Sequence, residues 1–180
     1  MQPGAMIQTA RAKLRPWQES DRAPLAQMHA DAEVMADYGG GLSRVESDAK
    51  FDRYAAAFEQ CGFGRWVLEG PDGSFLGYVG IMPIWPTHPA APGVEVGWRL
   101  VRDAWGRGYA TEGARAALRD GFERHRWAEV LSYTAPDNAR SQAVMGRLGL
   151  AREPHRDFTA DYGDNAWTGL VWVARPDMAF

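Results

Sequence analysis

The chain has 180 residues, 23 of them acidic and 20 basic, which gives a net charge of −3. That length supports one hydrophobic core, so we expect a single domain over residues 1–180. The balanced charge excludes a general nucleic-acid binder, and an aromatic content of 12% excludes a disordered chain.

Residues that build covalent or metal cross-links are sparse. Cys61 is the single cysteine, which excludes an internal disulfide framework and a multi-cysteine zinc site. The four histidines form no His-x-x-x-His pair, so we predict no metal site. Apolar runs are shorter than the roughly 20 residues of a membrane span, and the N-terminus does not resemble a signal peptide. We therefore expect a cytoplasmic protein with no membrane partner.

Hydrophobic spacing and turn residues predict eleven elements. In chain order these are a strand at 10–15, helices at about 21–31 and 46–60, strands at 65–69, 75–81 and 94–100, a helix at about 108–124, a strand at 130–134, a helix at 139–148, and strands at about 150–158 and 166–174. Four prolines make 83–92 a loop, because proline cannot donate to a strand ladder. Gly149 is expected to end the last helix in the left-handed conformation.

The order of these elements predicts the fold class. Strands interleave with helices, which favours an α/β (α+β) protein with one mixed sheet and helices on both faces. The strand at 94–100, the helix at 108–124 and the strand at 130–134 form a β-α-β unit. We expect those two strands to be parallel neighbours that separate toward their C-terminal halves, at the centre of a mostly antiparallel sheet.

The most informative segment is Trp-Gly-Arg-Gly-Tyr-Ala-Thr-Glu at 105–112, which leads from a strand into a helix. Gly106 and Gly108 allow a ligand to approach the backbone closely. The unpaired amides at a helix start favour an anion, and Arg107 adds a mobile charge at the mouth. The alternative is a tight turn without a ligand. A P-loop is excluded because no Gly-Lys-Ser/Thr follows, and Thr111 replaces the third glycine of the dinucleotide fingerprint.

Three segments together, 94–100, 105–112 and 137–150, resemble the acetyl-CoA-binding core of the GNAT N-acetyltransferases. The opening Leu-Arg-Pro-Trp at 14–17 resembles the Rim-type branch, which acetylates the N-termini of ribosomal proteins. The resemblance spans nearly the whole chain and implies the acyl-CoA N-acyltransferase fold. The family motif Arg/Gln-x-x-Gly-x-Gly/Ala is represented here by Trp105, Gly108 and Ala110, so the chain departs from the motif at its first position. The anion cradle uses backbone amides, so phosphate binding is still expected.

The resemblance implies that acetyl-CoA is a co-substrate and that the acceptor is a primary amine, either a protein N-terminus or a small molecule. It also allows a homodimer. The pantetheine arm would lie between the strands at 94–100 and 130–134, with a backbone amide near Trp98 holding the thioester oxygen. The expected cofactor-binding residues are Trp98, Leu100, Gly106, Arg107, Gly108, Tyr109, Ala110, Thr111 and Asn138.

Two residues are candidates for catalysis. Glu95 faces opposite to Val94 and Val96 and could act as general base toward the amine; the alternatives are a solvated residue or the partner of an arginine. Ser141, one turn after Asn138, could donate a proton to the leaving thiolate, or it could be an ordinary first-turn serine. Asn138 could cap its helix, bind pantetheine, or do both. We expect Glu112 to complement the helix dipole rather than to catalyse.

Three other functions stay open. The first is acetylation of an aminoglycoside or another small-molecule amine. The second is a catalytically silent CoA-binding sensor, and the third is a nucleotide-binding domain. Cys61 is distant in sequence from the cofactor segment, so an acyl-cysteine intermediate has no support.

Overall fold

In the computed structural model the described residues are 4–161 and 166–180, and they form nine strands and four α-helices. The strands are β1 (Ile7–Gln8), β2 (Lys13–Arg15), β3 (Arg65–Glu69), β4 (Phe75–Pro83), β5 (Val94–Leu100), β6 (Val130–Thr134), β7 (Ala151–Arg152), β8 (Phe158–Asp161) and β9 (Ala166–Ala174). The helices are α1 (Arg22–Ala30), α2 (Arg44–Cys61), α3 (Tyr109–His125) and α4 (Ala139–Arg147). None of these helices has both the length and the apolar character needed to cross a membrane.

The described strands form one sheet in the order β1-β2-β3-β4-β5-β6-β9-β7, and β8 pairs with the other half of β9. Neighbouring strands are antiparallel except β5 and β6, which are parallel and are connected through α3. The predicted fold class is therefore confirmed: a mostly antiparallel sheet with one central parallel crossover.

Alternate residues of the central strands pack into different cores, as the period-2 geometry of a strand requires. Val79 and Ile81 of β4 join a core with Leu118 of α3. Tyr78 and Met82 of the same strand join a second core with α1 and α2. Helices therefore cover both faces, α3 and α4 on one and α1 and α2 on the other.

Two predicted strand segments differ from the structure. The strand predicted at 10–15 begins at Lys13 and forms a short hairpin with the additional strand β1. The strand predicted at 150–158 is divided into β7 and the start of β8 by a short helical turn at Pro154–Arg156. Pro154 has no amide hydrogen to donate, which explains the break.

The buried histidine between α1 and α2 predicts a pH-dependent stability. His29 is fully buried, and its Nδ1 lies 2.9 Å from Ser47 Oγ. Burial, with the charges of Lys50 and Arg99, lowers the pKa of His29 from 6.5 to about 4. The unfolded chain takes up a proton that the folded chain does not, so we expect stability to fall by about 3 kcal/mol as pH decreases from 6.5 toward 4.

Urea denaturation across this pH range measures the effect. The matched variant is His29→Gln, which cannot titrate and should lose most of the pH dependence that the wild type shows between pH 6.5 and 4. An identical slope in both proteins would assign the effect to other groups.

Candidate active site

A cleft of about 780 Å³ opens at the carboxyl end of β5. Its walls are the turn before α3, the first turns of α3 and α4, and the segment that follows α1. The sequence-predicted residues that line it are Trp98, Leu100, Gly106, Gly108, Tyr109, Ala110, Thr111, Asn138 and Ser141. Arg107 and Glu95 are not among the lining residues. The cleft thus gathers the predicted cofactor residues other than Arg107, together with one of the two predicted catalytic residues.

The parallel strands that lead to this cleft pair only at their beginning. Glu95 of β5 is aligned with Leu131 of β6, and the described residues of the two strands form no other aligned pair. One residue further along, the Val96 carbonyl accepts a hydrogen bond from the Ser132 hydroxyl at 3.1 Å. Trp98 and Leu100 follow on β5 toward the cleft. Strand pairing therefore ends before the cleft is reached, as the β-α-β pattern predicted.

The turn before α3 has the backbone geometry of an anion site. Gly106 and Gly108 have φ values of 71° and 83°, which cost other residues about 1–2 kcal/mol. The Glu112 amide donates the first bond of the helix to the Gly108 carbonyl, at 3.0 Å. The amides of residues 109–111 therefore precede the first intrahelical donor. Thr111 Oγ1 is buried and has no hydrogen-bond partner among the described residues, so this hydroxyl is available to an anionic ligand.

Glu112 anchors the N-terminal hairpin to this turn. Its carboxylate accepts from the Thr9 hydroxyl at 2.6 Å and from the Arg11 amide at 2.7 Å. The Arg11 guanidinium bonds both Glu112, at 2.8 Å, and the Arg107 carbonyl, at 2.9 Å. Burial opposes ionisation of Glu112, but these hydrogen bonds outweigh it and lower the pKa. Glu112 thus holds the hairpin against the turn, a contact that the sequence did not predict; it lies in the first turn of α3, where it was expected to complement the helix dipole.

The first turn of α4 forms the opposite wall. Asn138 Oδ1 accepts a hydrogen bond from the Ser141 amide at 3.1 Å, so Asn138 caps the helix. Ser141 is half-buried and lines the cleft. The cap fixes the orientation of this turn, and with it the position of the Ser141 side chain relative to the end of β5.

Glu95 projects from the face of β5 that carries α1 and α2. Its carboxylate forms an ion pair with Arg65 of β3, and the two side chains are 14% and 13% exposed. Arg65 also donates to the Tyr54 hydroxyl at 3.0 Å. A Cβ atom at Gly97 would lie 2.7 Å from Arg65 Nη2 and 3.0 Å from Glu95 Oε2, so a side chain there would displace the paired groups. The sequence left three roles open for Glu95, and the structure shows one of them, the partner of an arginine.

This face of the sheet is rich in positive charge. Burial disfavours ionisation of Tyr54, but Arg65, Lys50 and Arg53 outweigh it and lower the pKa of Tyr54 to about 7. Arg53 lies over the Tyr54 ring at 5.0 Å from its centroid. Lys50 and Arg53 therefore add positive charge around Tyr54, next to the Arg65–Glu95 pair.

Four aromatic rings pack against one another around Tyr133 of β6: His88, Tyr133, Phe158 and Trp167. The His88 ring stacks on Tyr133 with centroids 5.0 Å apart, and Phe158 meets His88 edge-on at 4.8 Å. Trp167 is 5.7 Å from Phe158. Burial lowers the pKa of His88, and the charge of Glu95 opposes this. We refer to these four rings as the aromatic cluster.

Sequence reasoning missed the cleft wall contributed by the segment after α1. Arg99 of β5 holds this segment, because its guanidinium bonds both Asp37 carboxylate oxygens, at 2.8 and 2.7 Å, and the Val34 carbonyl. Asp37 and Val34 line the cleft. The sequence did offer one indication of this contact. Arg99 lies two residues after Gly97 on the polar face of β5, and a buried arginine needs a partner.

Comparison with known proteins agrees with this geometry. Residues 11–151 match the family model described as acetyltransferase (GNAT) domain. FsC-acetyl coenzyme A-N(2)-transacetylase of Aspergillus fumigatus is 34% identical over 151 residues, which cover 80% of this chain and 64% of that protein. An acetyltransferase structure from Agrobacterium tumefaciens is 26% identical with a TM-score of 0.79, and covers 95% of this chain and 94% of its own. Mycobacterium smegmatis RimJ, solved with CoA-disulfide, shares the fold at 20% identity and a TM-score of 0.71, over 98% of this chain and 91% of its own.

The matched range contains β5, the glycine turn, α3, β6 and α4. The family match therefore covers the strand-turn-helix geometry that forms most of the cleft. The chain belongs to the GNAT family, and its activity class is that of an acetyl-CoA-dependent N-acetyltransferase.

Proposed function

We propose that this protein moves the acetyl group of acetyl-CoA directly to a primary amine, within a ternary complex. The observation that carries the proposal is the parallel pair β5–β6, aligned only at Glu95 and Leu131, next to a cleft walled by two helix N-termini. Strands that part leave backbone groups of β5 without a ladder partner. An extended pantetheine arm would supply those hydrogen bonds at Trp98 and Leu100.

The remaining cleft residues fit the other parts of acetyl-CoA. The diphosphate would accept hydrogen bonds from the amides of residues 108–111 and from the Thr111 hydroxyl. Asn138 would contact the pantetheine amide, and Ser141 would lie near the sulfur. Arg107, whose guanidinium lies 5.3 Å from the centre of the Tyr109 ring, would reach the diphosphate from the outside.

The chemistry needs one base and one acid. Glu95 would take a proton from the acceptor ammonium, directly or through water, so that the neutral nitrogen can attack the thioester carbonyl carbon. The backbone amide near Trp98 would stabilise the oxyanion. As the C–N bond forms and the C–S bond breaks, Ser141 would give its proton to the thiolate and recover one from solvent.

The surroundings of Glu95 favour one kind of acceptor. The aromatic cluster offers apolar ring surface, and Arg53 and Lys50 give this face a positive charge that would repel a polycation. We therefore propose an amine with one positive charge, at a protein N-terminus or on a small apolar molecule. An aminoglycoside fits this site poorly.

An acetylation screen read by CoA release tests the proposal. The panel is N-terminal peptides, arylalkylamines, amino acids, polyamines and aminoglycosides. Turnover with a monoamine supports the function, whereas CoA binding without turnover favours a sensor. Direct transfer requires intersecting initial-rate plots and full activity in Cys61→Ser; parallel plots would indicate an acyl-enzyme.

Thr111→Val tests the anion site at the start of α3. The hydroxyl of Thr111 has no partner among the described residues, so its loss should leave the folding stability unchanged or slightly higher. If the hydroxyl donates to a phosphate, the affinity for acetyl-CoA should fall by about tenfold. Calorimetry measures the affinity and thermal denaturation the stability.

Thr111→Ser is the matched control, because it keeps the hydroxyl and should bind nearly as well as wild type. Equal affinity of the valine variant and wild type would remove Thr111 from the cofactor site.

A further inference from the structure

One cation on the cleft wall has no role in the function described so far. Arg140 of α4 lines the cleft, and its guanidinium lies 3.9 Å from the centre of the Trp105 ring. Trp105 is itself fixed, because its indole nitrogen donates to the Leu100 carbonyl at 2.9 Å. The ring therefore forms a rigid platform at the end of β5, directly before Gly106, and it carries a positive charge on its face.

The carboxylate that faces Arg140 is a weak partner. Glu33, in the segment after α1, lies 3.8 Å from Arg140 Nη1 and 3.0 Å from Arg102 Nη2. The first distance exceeds that of a hydrogen bond, and the two side chains are 62% and 48% exposed. Exposed ion pairs of this kind contribute little to stability, whereas a guanidinium bound to a phosphate forms short, charge-assisted hydrogen bonds.

Among the described residues three arginines line the cleft, and Arg140 is the one that combines a loose ion pair with a position beside the turn. Arg107, which would reach the diphosphate from outside, is not a lining residue. Arg99 is committed to Asp37 and the Val34 carbonyl. Arg147 lies at the far end of α4 from Asn138. Arg140, in contrast, is held beside the residue that opens the glycine turn.

We propose that Arg140, held on the Trp105 ring, binds the diphosphate of the cofactor, and that Glu33 is the carboxylate it releases when the cofactor enters. The proposal rests on acetyl-CoA binding in this cleft. Trp105 stands where the family motif has arginine or glutamine, so this chain has no polar side chain at that position, and α4 would supply one from the facing wall. Trp105 is then a positioning residue, and Arg140 is the residue that contacts phosphate.

The test compares ligands that differ in their phosphates. Arg140→Gln should weaken CoA and dephospho-CoA binding alike, by about tenfold, and leave pantetheine binding unchanged. It should also reduce the salt dependence of CoA affinity, since one fewer charge is neutralised. Trp105→Leu should reproduce part of this loss, and Arg140→Lys should restore only part of the affinity.

Glu33→Gln tests the competing carboxylate. It should tighten CoA binding by about two- to fivefold in the wild-type background and have no effect in the Arg140→Gln background. Arg44→Gln removes an exposed arginine–carboxylate pair on α2, away from the cleft, and is the control for net charge.

The outcomes are separable. If wild-type protein fails to bind CoA, the proposed function is wrong. If CoA binds and Arg140→Gln has no effect, or weakens pantetheine equally, the Arg140 assignment is overturned. A loss that disappears with dephospho-CoA would place Arg140 on the 3′-phosphate and overturn the diphosphate assignment.

Discussion

Gly108→Glu is expected to abolish measurable acetyl-CoA binding in a protein that still folds. The new carboxylate would lie at the N-terminus of α3, where the diphosphate is proposed to bind. Two like charges about 5 Å apart repel by a few kcal/mol at an effective dielectric constant near 20, so affinity should fall more than about 100-fold. The fold should persist, because a Cβ atom here meets only Arg11 Nη2, at 3.1 Å, and the carboxylate can pair with it.

Gly108→Gln separates charge from strain. Glutamine has nearly the same size as glutamate and pays the same cost of about 1–2 kcal/mol for a φ of 83°. Calorimetry with CoA should find intermediate binding in the glutamine variant and none in the glutamate variant. Unaltered affinity in a folded Gly108→Glu protein would refute the anion site at this turn.

The cofactor-binding part of the site, the glycine turn and the start of α4, could be predicted from the sequence because it depends on local sequence patterns. Gly106 and Gly108 are demanded by positive φ angles within a few residues of a strand end, and Asn138 caps the helix that follows β6. Each of these features depends on residues within one strand-turn-helix unit, so the local sequence is enough to predict it. The same holds for the sheet order around β5 and β6.

The rest of the site depends on contacts between distant segments. Arg99 reaches Asp37 across 62 residues, and Arg65 reaches Glu95 across 30. The periodicity of the local sequence does not identify such distant partners, because they come together only when the sheet forms. The short strand β1 was missed because a two-residue strand carries almost no periodic signal. The break at Pro154 did have a local signal, the proline itself, which the strand predicted at 150–158 did not take into account.

Glu95→Gln is expected to lower kcat by about 10²- to 10⁴-fold with little change in acetyl-CoA affinity. Without this carboxylate, the acceptor molecules that can react are those already deprotonated in solution. The deficit should therefore be largest at low pH and shrink as pH rises toward the pKa of the acceptor amine. A pH–rate profile of both proteins with one monoamine acceptor measures this.

The ion pair with Arg65 complicates the substitution and also supplies its control. Removing one partner leaves a buried guanidinium without its counter-charge, which costs about 3–5 kcal/mol and could distort the site. The double variant Arg65→Gln/Glu95→Gln removes both charges, so it should recover much of the stability but none of the rate. If it recovers kcat as well, the single variant was inactive through strain. If Glu95→Gln keeps full kcat at every pH, Glu95 is the structural partner of Arg65, and catalysis depends on holding amine and thioester in near-attack geometry.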